Sequence, residues 1–343
     1  MKTLNALATF TLAAAVAIGA SGSVGAQSSA DLVAAAKKEG KLTFYTEQPV
    51  ETITGLIAAF GAKYPGITVD YFRGQTSQLV TRYESETAAG RHIVDVFTAT
   101  ERRAKLMKPN LLANFKSPEL ARYDAGVQPT HGNWAVYSLN TTSFAWNPRT
   151  MPKGQEPKEW KDLLDPKWKG KIGIQDPAVG GGAASWIATM YGVLGEAEWL
   201  DYMTKFAAQN LLYATRPQVE EKVMSGELAI IAVDYPNFIE PLKAKGAPIE
   251  WGTPKPMIRT GLSIQLSPNA PNPNAAKLFI NFLLSEEGHQ TLAKLGSMPA
   301  LKSAWPAVFE RMKTAELVPS ADELEAQKAD YFSAKIKELF GKR

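Results

Sequence analysis

Five short stretches of the chain carry the residues suited to gripping a small molecule. Thr46, Glu47 and Gln48 form the first. Residues 74–77, with the hydroxyls of Thr76 and Ser77, form the second. Residues 98–101, with Thr100 and Glu101, form the third. The fourth is a glycine run, Gly180, Gly181 and Gly182, continuing into Ala183, Ala184 and Ser185. The fifth is Asp234-Tyr235. Hydroxyls, amides and carboxylates of this kind bind by hydrogen bonding. Glycines let backbone approach a ligand closely. The glycine run precedes a predicted helix, and the first N–H groups of a helix lack partners and favour negative charge. Arg216 and Arg259 are candidates to clamp a carboxylate or phosphonate through two parallel hydrogen bonds. Each stretch also has a plain reading as a cap, a turn or an ion pair.

An exported hydrolase is the rival class, and its sequence signatures are missing. The chain has no cysteine, so it has neither a thiolate nor a disulfide. No Gly-x-Ser-x-Gly elbow and no phosphate-cradling Walker loop occurs. His92, His131 and His289 stand far apart, without the spacing of a helical metal motif. No enzyme and no resident cofactor is expected. The formal charge of +4 is scattered, which excludes the clustered basic footprint of a nucleic-acid binder. It suits at most a mild attraction for anions. Tyr45, Tyr137, Trp146, Trp186 and Tyr213 are candidates to line a cleft, although most aromatics of such a chain are core.

The elements that must position these stretches follow from periodicity. Residues 41–46, KLTFYT, alternate and are rich in β-branched and aromatic types, which predicts a strand. Further strands are predicted at 67–72 and 93–98, with helices at 30–39, 53–64 and 76–89 between them. Strand, helix, strand, helix, strand predicts an α/β lobe with a mainly parallel sheet. The loops after such strands open at one edge, where ligands bind. A second α/β lobe is predicted from strands at 143–146, 171–175 and 228–233, with helices at 183–191, 196–210 and 219–224. An extended segment at 257–266 and a helical stretch at 275–295 follow. At 343 residues and 45% hydrophobic composition, two domains are expected.

Residues 1–26 read as a removable export signal. Lys2 supplies positive charge, residues 7–18 are a short apolar run, and Val24-Gly25-Ala26 offers small residues for cleavage. Cleavage after Ala26 and a periplasmic address are expected. With no cysteine behind the signal, no lipid anchor is expected.

Several stretches together resemble a family. LTFYTEQ at 42–48, DVFTATE at 95–101, WKDLLDPKWKGKIGIQDP at 160–177, EEKVMSGELAIIAVDY at 220–235 and AAKLFINFLLSEEGHQTLA at 275–293 resemble the type II periplasmic binding proteins. They resemble in particular the ferric-iron, thiamine and phosphonate branch of extracellular solute-binding proteins. The resemblance implies two lobes with a solute trapped between them, closing about a hinge near residues 140–147 and 257–263. It implies a monomer that serves the permease of an ABC importer and binds no nucleic acid. The expected division is residues 27–140 with 260–310 for one lobe and 141–259 for the other, with helices in 311–343 packing back on both. A sensor subunit that presents its ligand to a receptor is an alternative use of the same fold. In the ferric relatives two adjacent tyrosines ligate Fe3+ at the end of the strand that precedes residue 235. Here Tyr235 matches one, and Pro236 stands where the next would be. The ferric alternative therefore rests on Tyr235 with Glu101, a thin donor set for so hard an ion. A small anionic or organic solute is the principal expectation.

Overall fold

The computed structural model describes residues 29–341, apart from 101–103, 105–106, 125–131, 180 and the side chain of residue 77. The export signal, Gly180 and Glu101 lie outside the described residues.

The first lobe is built around a seven-stranded sheet. Helix α1 (Ser29–Glu39) ends at Gly40, whose φ of +69° favours glycine. Strand β1 (Lys41–Thr46) follows, then α2 (Val50–Lys63), β2 (Thr68–Arg73), α3 (Thr76–Ala88) and β3 (Val96–Thr100). β1 pairs in parallel with β2 on one side and β3 on the other. Strand β4 (Ala135–Thr141) belongs to the same sheet, and β5 (Ser143–Trp146) already belongs to the second sheet. Only Thr142 separates them.

The second lobe continues with β6 (Ile172–Gln175), α4 (Gly182–Leu194), α5 (Glu196–Ala207) and β7 (Leu212–Ala214). It then adds α6 (Arg216–Ser225), β8 (Ile230–Asp234), α7 (Pro236–Ala244) and β9 (Glu250–Trp251). Its sheet has the order β7-β6-β8-β5-β9. β6 runs parallel to β7 and β8, and β5 runs antiparallel to β8 and β9. β10 (Met257–Leu266) returns to the first sheet, antiparallel to both β3 and β4. Helices α8 (Pro273–Leu284) and α9 (Glu286–Lys294) and strand β11 (Met298–Pro299) follow. β12 (Leu317–Pro319) pairs with β10, and α10 (Asp322–Gln327) and α11 (Ala329–Phe340) close the chain against the second lobe. Each sheet thus has three parallel strands on one side, β2-β1-β3 and β7-β6-β8, and antiparallel strands on the other. The antiparallel strands β4, β5, β9 and β10 flank the first two passages of the chain between lobes.

The crossings lie side by side. The Thr142 N–H donates to Ile258 O at 2.8 Å, and the Ile258 N–H donates back to the Thr142 hydroxyl at 3.1 Å. On the far side of β10 the Ser320 N–H donates to Arg259 O at 2.9 Å. Three segments therefore cross between the lobes: Thr142, residues 252–256 and residues 320–321. The expected lobe boundary at 259/260 shifts to the start of β10, because Met257 to Arg259 are already laddered to β12. The third crossing was not foreseen, since nothing local marks LVPSAD as a change of lobe.

The first core stacks α2 and α8 on β1 through Phe44, Phe60 and Phe279, with ring centroids 5.0–5.1 Å apart. Buried Asp95 accepts from the backbone N–H of Thr43 and of Asn272, which ties β1 to the start of α8. The second core gathers Trp160, Trp186, Trp199 and Phe206. The Trp160 indole N–H donates to Pro256 O at 2.8 Å, so the family-like block holds the return crossing in place. Tyr45, Tyr137 and Trp186 are buried core residues, not cleft walls.

Candidate functional site

A cleft between the lobes has two sections joined at Thr100, Thr260 and Gly261. The larger section, about 530 Å³, has Glu47, Gln48 and Asn140 on the first lobe and Asn237 and Phe238 on the second. The smaller, about 280 Å³, has Gly181, Gly182, Ser185 and Tyr235 on the second lobe, with Asp322 and Glu325 of α10, which packs against α4.

The small section is set by a strand end meeting a helix start. β8 is an apolar run buried throughout, and it ends where Pro236 opens α7. Tyr235 is delivered there, half-buried. Its hydroxyl makes no hydrogen bond among the described residues. Burial and the neighbouring Asp234 push the phenol pKa up to about 12, so it is a neutral donor at pH 7. Helix α4 begins beside it, capped by Gly181 at φ +77°. The Ser185 N–H is the first to bond within the helix, to Gly181 O at 3.0 Å. The three N–H groups before it have no intrahelical acceptor. A Cβ on Gly182 would overlap the Tyr235 hydroxyl and stand 2.8 Å from Cζ. Gly182 therefore makes room for the tyrosine, and the sequence-based reason for that glycine, approach of ligand to backbone, needs this correction.

Behind Tyr235 lies a charged cluster. Asp234 is fully buried. Its Oδ1 accepts the Tyr235 N–H at 2.8 Å and lies 3.9 Å from Arg216 Nη1, while its Oδ2 has no partner among the described residues. Burial first, and the charge of Glu220 second, raise its pKa to about 8. Glu220 is raised as well, chiefly by burial, with Arg216 opposing. Arg216 hydrogen-bonds Glu220 and lies over the Phe238 ring, 4.1 Å from its centroid.

The large section is set by the end of β1. Glu47 accepts the Thr76 hydroxyl on Oε2 and keeps Oε1 buried without a partner among the described residues. Burial raises its pKa, and the Thr76 contacts oppose the rise. The Gln48 amide donates to the Tyr137 hydroxyl at 3.1 Å. The Asn237 side chain donates to Asn140 Oδ1 at 3.0 Å across the lobes, and its own Oδ1 is buried without a partner among the described residues.

The structure therefore brings together Glu47, Gln48, Thr100, Gly181, Gly182, Ser185 and Tyr235. It withdraws several other expected contacts. Thr46 is wholly buried, where its hydroxyl accepts from Thr98. Thr76 stands behind Glu47 and positions it. The Ala183 methyl is packed in the core. Asp234 is sealed beneath Tyr235, and Arg216 is held by Glu220. Arg259 is buried in β10 and lines neither section. Glu101 and the Ser77 side chain lie outside the described residues. Sequence reasoning missed Asn140, Asn237, Thr260, Ser320, Asp322 and Glu325. Pro236 marked a helix start, which was the available signal for Asn237. The others come together only through the crossings.

Among the described residues no group of three or more His, Asp or Glu side chains is placed to hold a metal. Among them too, no helix is long and apolar enough to cross a membrane.

Residues 55–316 match the family model described as bacterial extracellular solute-binding protein. The chain is 26% identical over 253 residues to a putative 2-aminoethylphosphonate-binding periplasmic protein of Salmonella typhimurium, covering 71% of this chain and 73% of that one. It is 25% identical over 213 residues to the Fe(3+)-binding periplasmic protein of Serratia marcescens, covering 61% of each. Among solved structures, iron-bound HitA of Pseudomonas aeruginosa superposes with a TM-score of 0.71 at 24% identity, over 86% of this chain and 99% of that one.

Proposed function

Because the chain belongs to the bacterial extracellular solute-binding protein family, we propose that it captures a small organic anion in the small section of the cleft and delivers it to an ABC permease. Members of this family bind solutes and do not transform them. The observation that carries the anion is the meeting of the α4 start, the Ser185 side chain and the unpartnered Tyr235 hydroxyl at one cleft wall. All three offer donors, and the helix dipole adds positive potential there.

The two lobes act as the moving units in this reading. The solute bridges them and favours the closed arrangement through contacts it makes only there. The three crossings are the hinge. Residues 1–26 direct export to the periplasm and are removed after Ala26, and the mature chain works as a monomer. Intact-mass measurement of the exported protein checks the cleavage, which retention of residues 1–26 refutes. Native mass spectrometry of protein purified without refolding, followed by calorimetry with phosphonates, sulfonates and carboxylates, tests the anion. Failure of every such compound to bind overturns it.

A second reading has one observation in its favour. Tyr235, Asp322 and Glu325 line the same section and offer oxygen donors, the type that hard Fe3+ prefers. Both carboxylates already have partners, and Pro236 leaves the phenol single. Ferric citrate titration decides it: a tyrosinate charge-transfer band that Tyr235→Phe abolishes supports iron.

A further inference from the structure

Neither section has a Lys, Arg or His among its described lining residues; the large one carries Glu47 and Glu51, and the small one carries Asp322 and Glu325. What sets the large section apart is that its buried side-chain atoms without a partner are of one kind. Glu47 Oε1 and Asn237 Oδ1 are both acceptors, and neither has a donor among the described residues. In each case the rest of the group is fixed. Thr76 holds the other Glu47 oxygen, and Asn140 takes the Asn237 amide hydrogen. Buried acceptors left unmade carry a free-energy cost that a matching donor removes. The two residues come from opposite lobes, so a donor that reaches both also draws the lobes together.

We infer that the solute carries a primary ammonium group that donates to Glu47 Oε1 and Asn237 Oδ1, so that its class is an amino-bearing anion. This rests on the anion reading of the small section, and it adds the opposite end of the molecule. Thr100, Thr260 and Gly261, shared by both sections, form the waist that such a solute spans. An ammonium supplies three donors and a full charge, which matches a carboxylate and an amide oxygen. The raised carboxyl pKa of Glu47, caused mainly by burial, is consistent with a site whose counter-charge arrives with the solute.

Matched pairs that differ only in the amine test this: 2-aminoethylphosphonate against ethylphosphonate, taurine against ethanesulfonate, and 4-aminobutyrate against butyrate. Calorimetry on the mature protein should show the amino member of the binding pair at least about tenfold tighter, or 1.4 kcal/mol. Glu47→Gln should remove most of that preference while leaving the amine-free partner as tight or tighter, with the melting temperature of the ligand-free protein as the folding control. Equal affinity within a pair, with Tyr235→Phe still weakening both members, overturns the ammonium and leaves the anion standing. No binding by any member of the three pairs overturns both.

Discussion

The two sections of the cleft differ in what their walls leave unsatisfied. The small section presents donors, a helix start and a phenol, beside the carboxylates of Asp322 and Glu325, which already have partners. The large section presents acceptors: Glu47 Oε1 and Asn237 Oδ1. The donors come largely from backbone geometry, and the acceptors come from side chains held by neighbours. Polarity of this kind is a specification of the solute. It also means that the two ends should respond differently to substitution.

The largest effect is expected at Gly182. Gly182→Val forces the Tyr235 ring out of its seat. It should cut affinity for an anionic solute at least about tenfold, or 1.4 kcal/mol, with the fold intact by circular dichroism. A double-mutant cycle isolates the cause. Gly182→Ala should lower the melting temperature less in a Tyr235→Phe background than in the wild type. Equal costs in both backgrounds would show that the glycine serves something other than the tyrosine.

Tyr235→Phe should weaken binding by about 1–2 kcal/mol, the scale of one hydrogen bond left without its donor. The melting temperature of the ligand-free protein should barely change, because the hydroxyl has no partner to lose among the described residues. Unchanged affinity in calorimetry would remove the phenol from the donor end. Ser185→Ala should cost less, since the backbone donors remain.

Asp234 connects the donor end to pH. Its folded pKa of about 8 lies above the ordinary carboxylate range near 4. The folded state therefore holds a proton that the unfolded state releases between about pH 4 and 8. The stability this group contributes is fully present below pH 4 and is lost as pH rises through 8. Asp234→Asn keeps the Oδ1 acceptor for the Tyr235 N–H and removes the titration. It should flatten that part of the stability profile and raise the melting temperature at pH 8.5 by a few degrees. A parallel decline with pH in both proteins would rule Asp234 out.

The smallest effect is expected at Asn140→Ala, which removes the acceptor of a hydrogen bond between the lobes. About 1 kcal/mol of solute affinity should be lost, with no selectivity change between amino-bearing and amine-free members of a pair. Such a change would give Asn140 a role in the acceptor end itself.

Much of this frame was legible locally. KLTFYT alternates over the first four residues of β1, and LAIIAVDY announces a buried strand with a polar end at Tyr235. The glycine run announced the α4 start, although for a different reason than the one the structure supplies. The contacts that define the cleft were not legible, because they join residues far apart in sequence. Asn140 and Asn237 are 97 positions apart, and Gly182 and Tyr235 are related only through the fold. β4, with AVYSLNT mixing apolar and polar residues, gave too weak a pattern to be assigned. The arginines misled because charge is visible in sequence and its partners are not. Arg216 meets Glu220 one helical turn away.

The seat that Gly182 provides for Tyr235 ties the histories of the two positions together. A lineage cannot enlarge residue 182 while the tyrosine stays, but it can shrink residue 235 first at the loss of one donor. The order of substitution is therefore constrained. Divergence toward a new solute at this end should pass through the tyrosine, and relatives carrying a side chain at the glycine position should lack a bulky ring at the other.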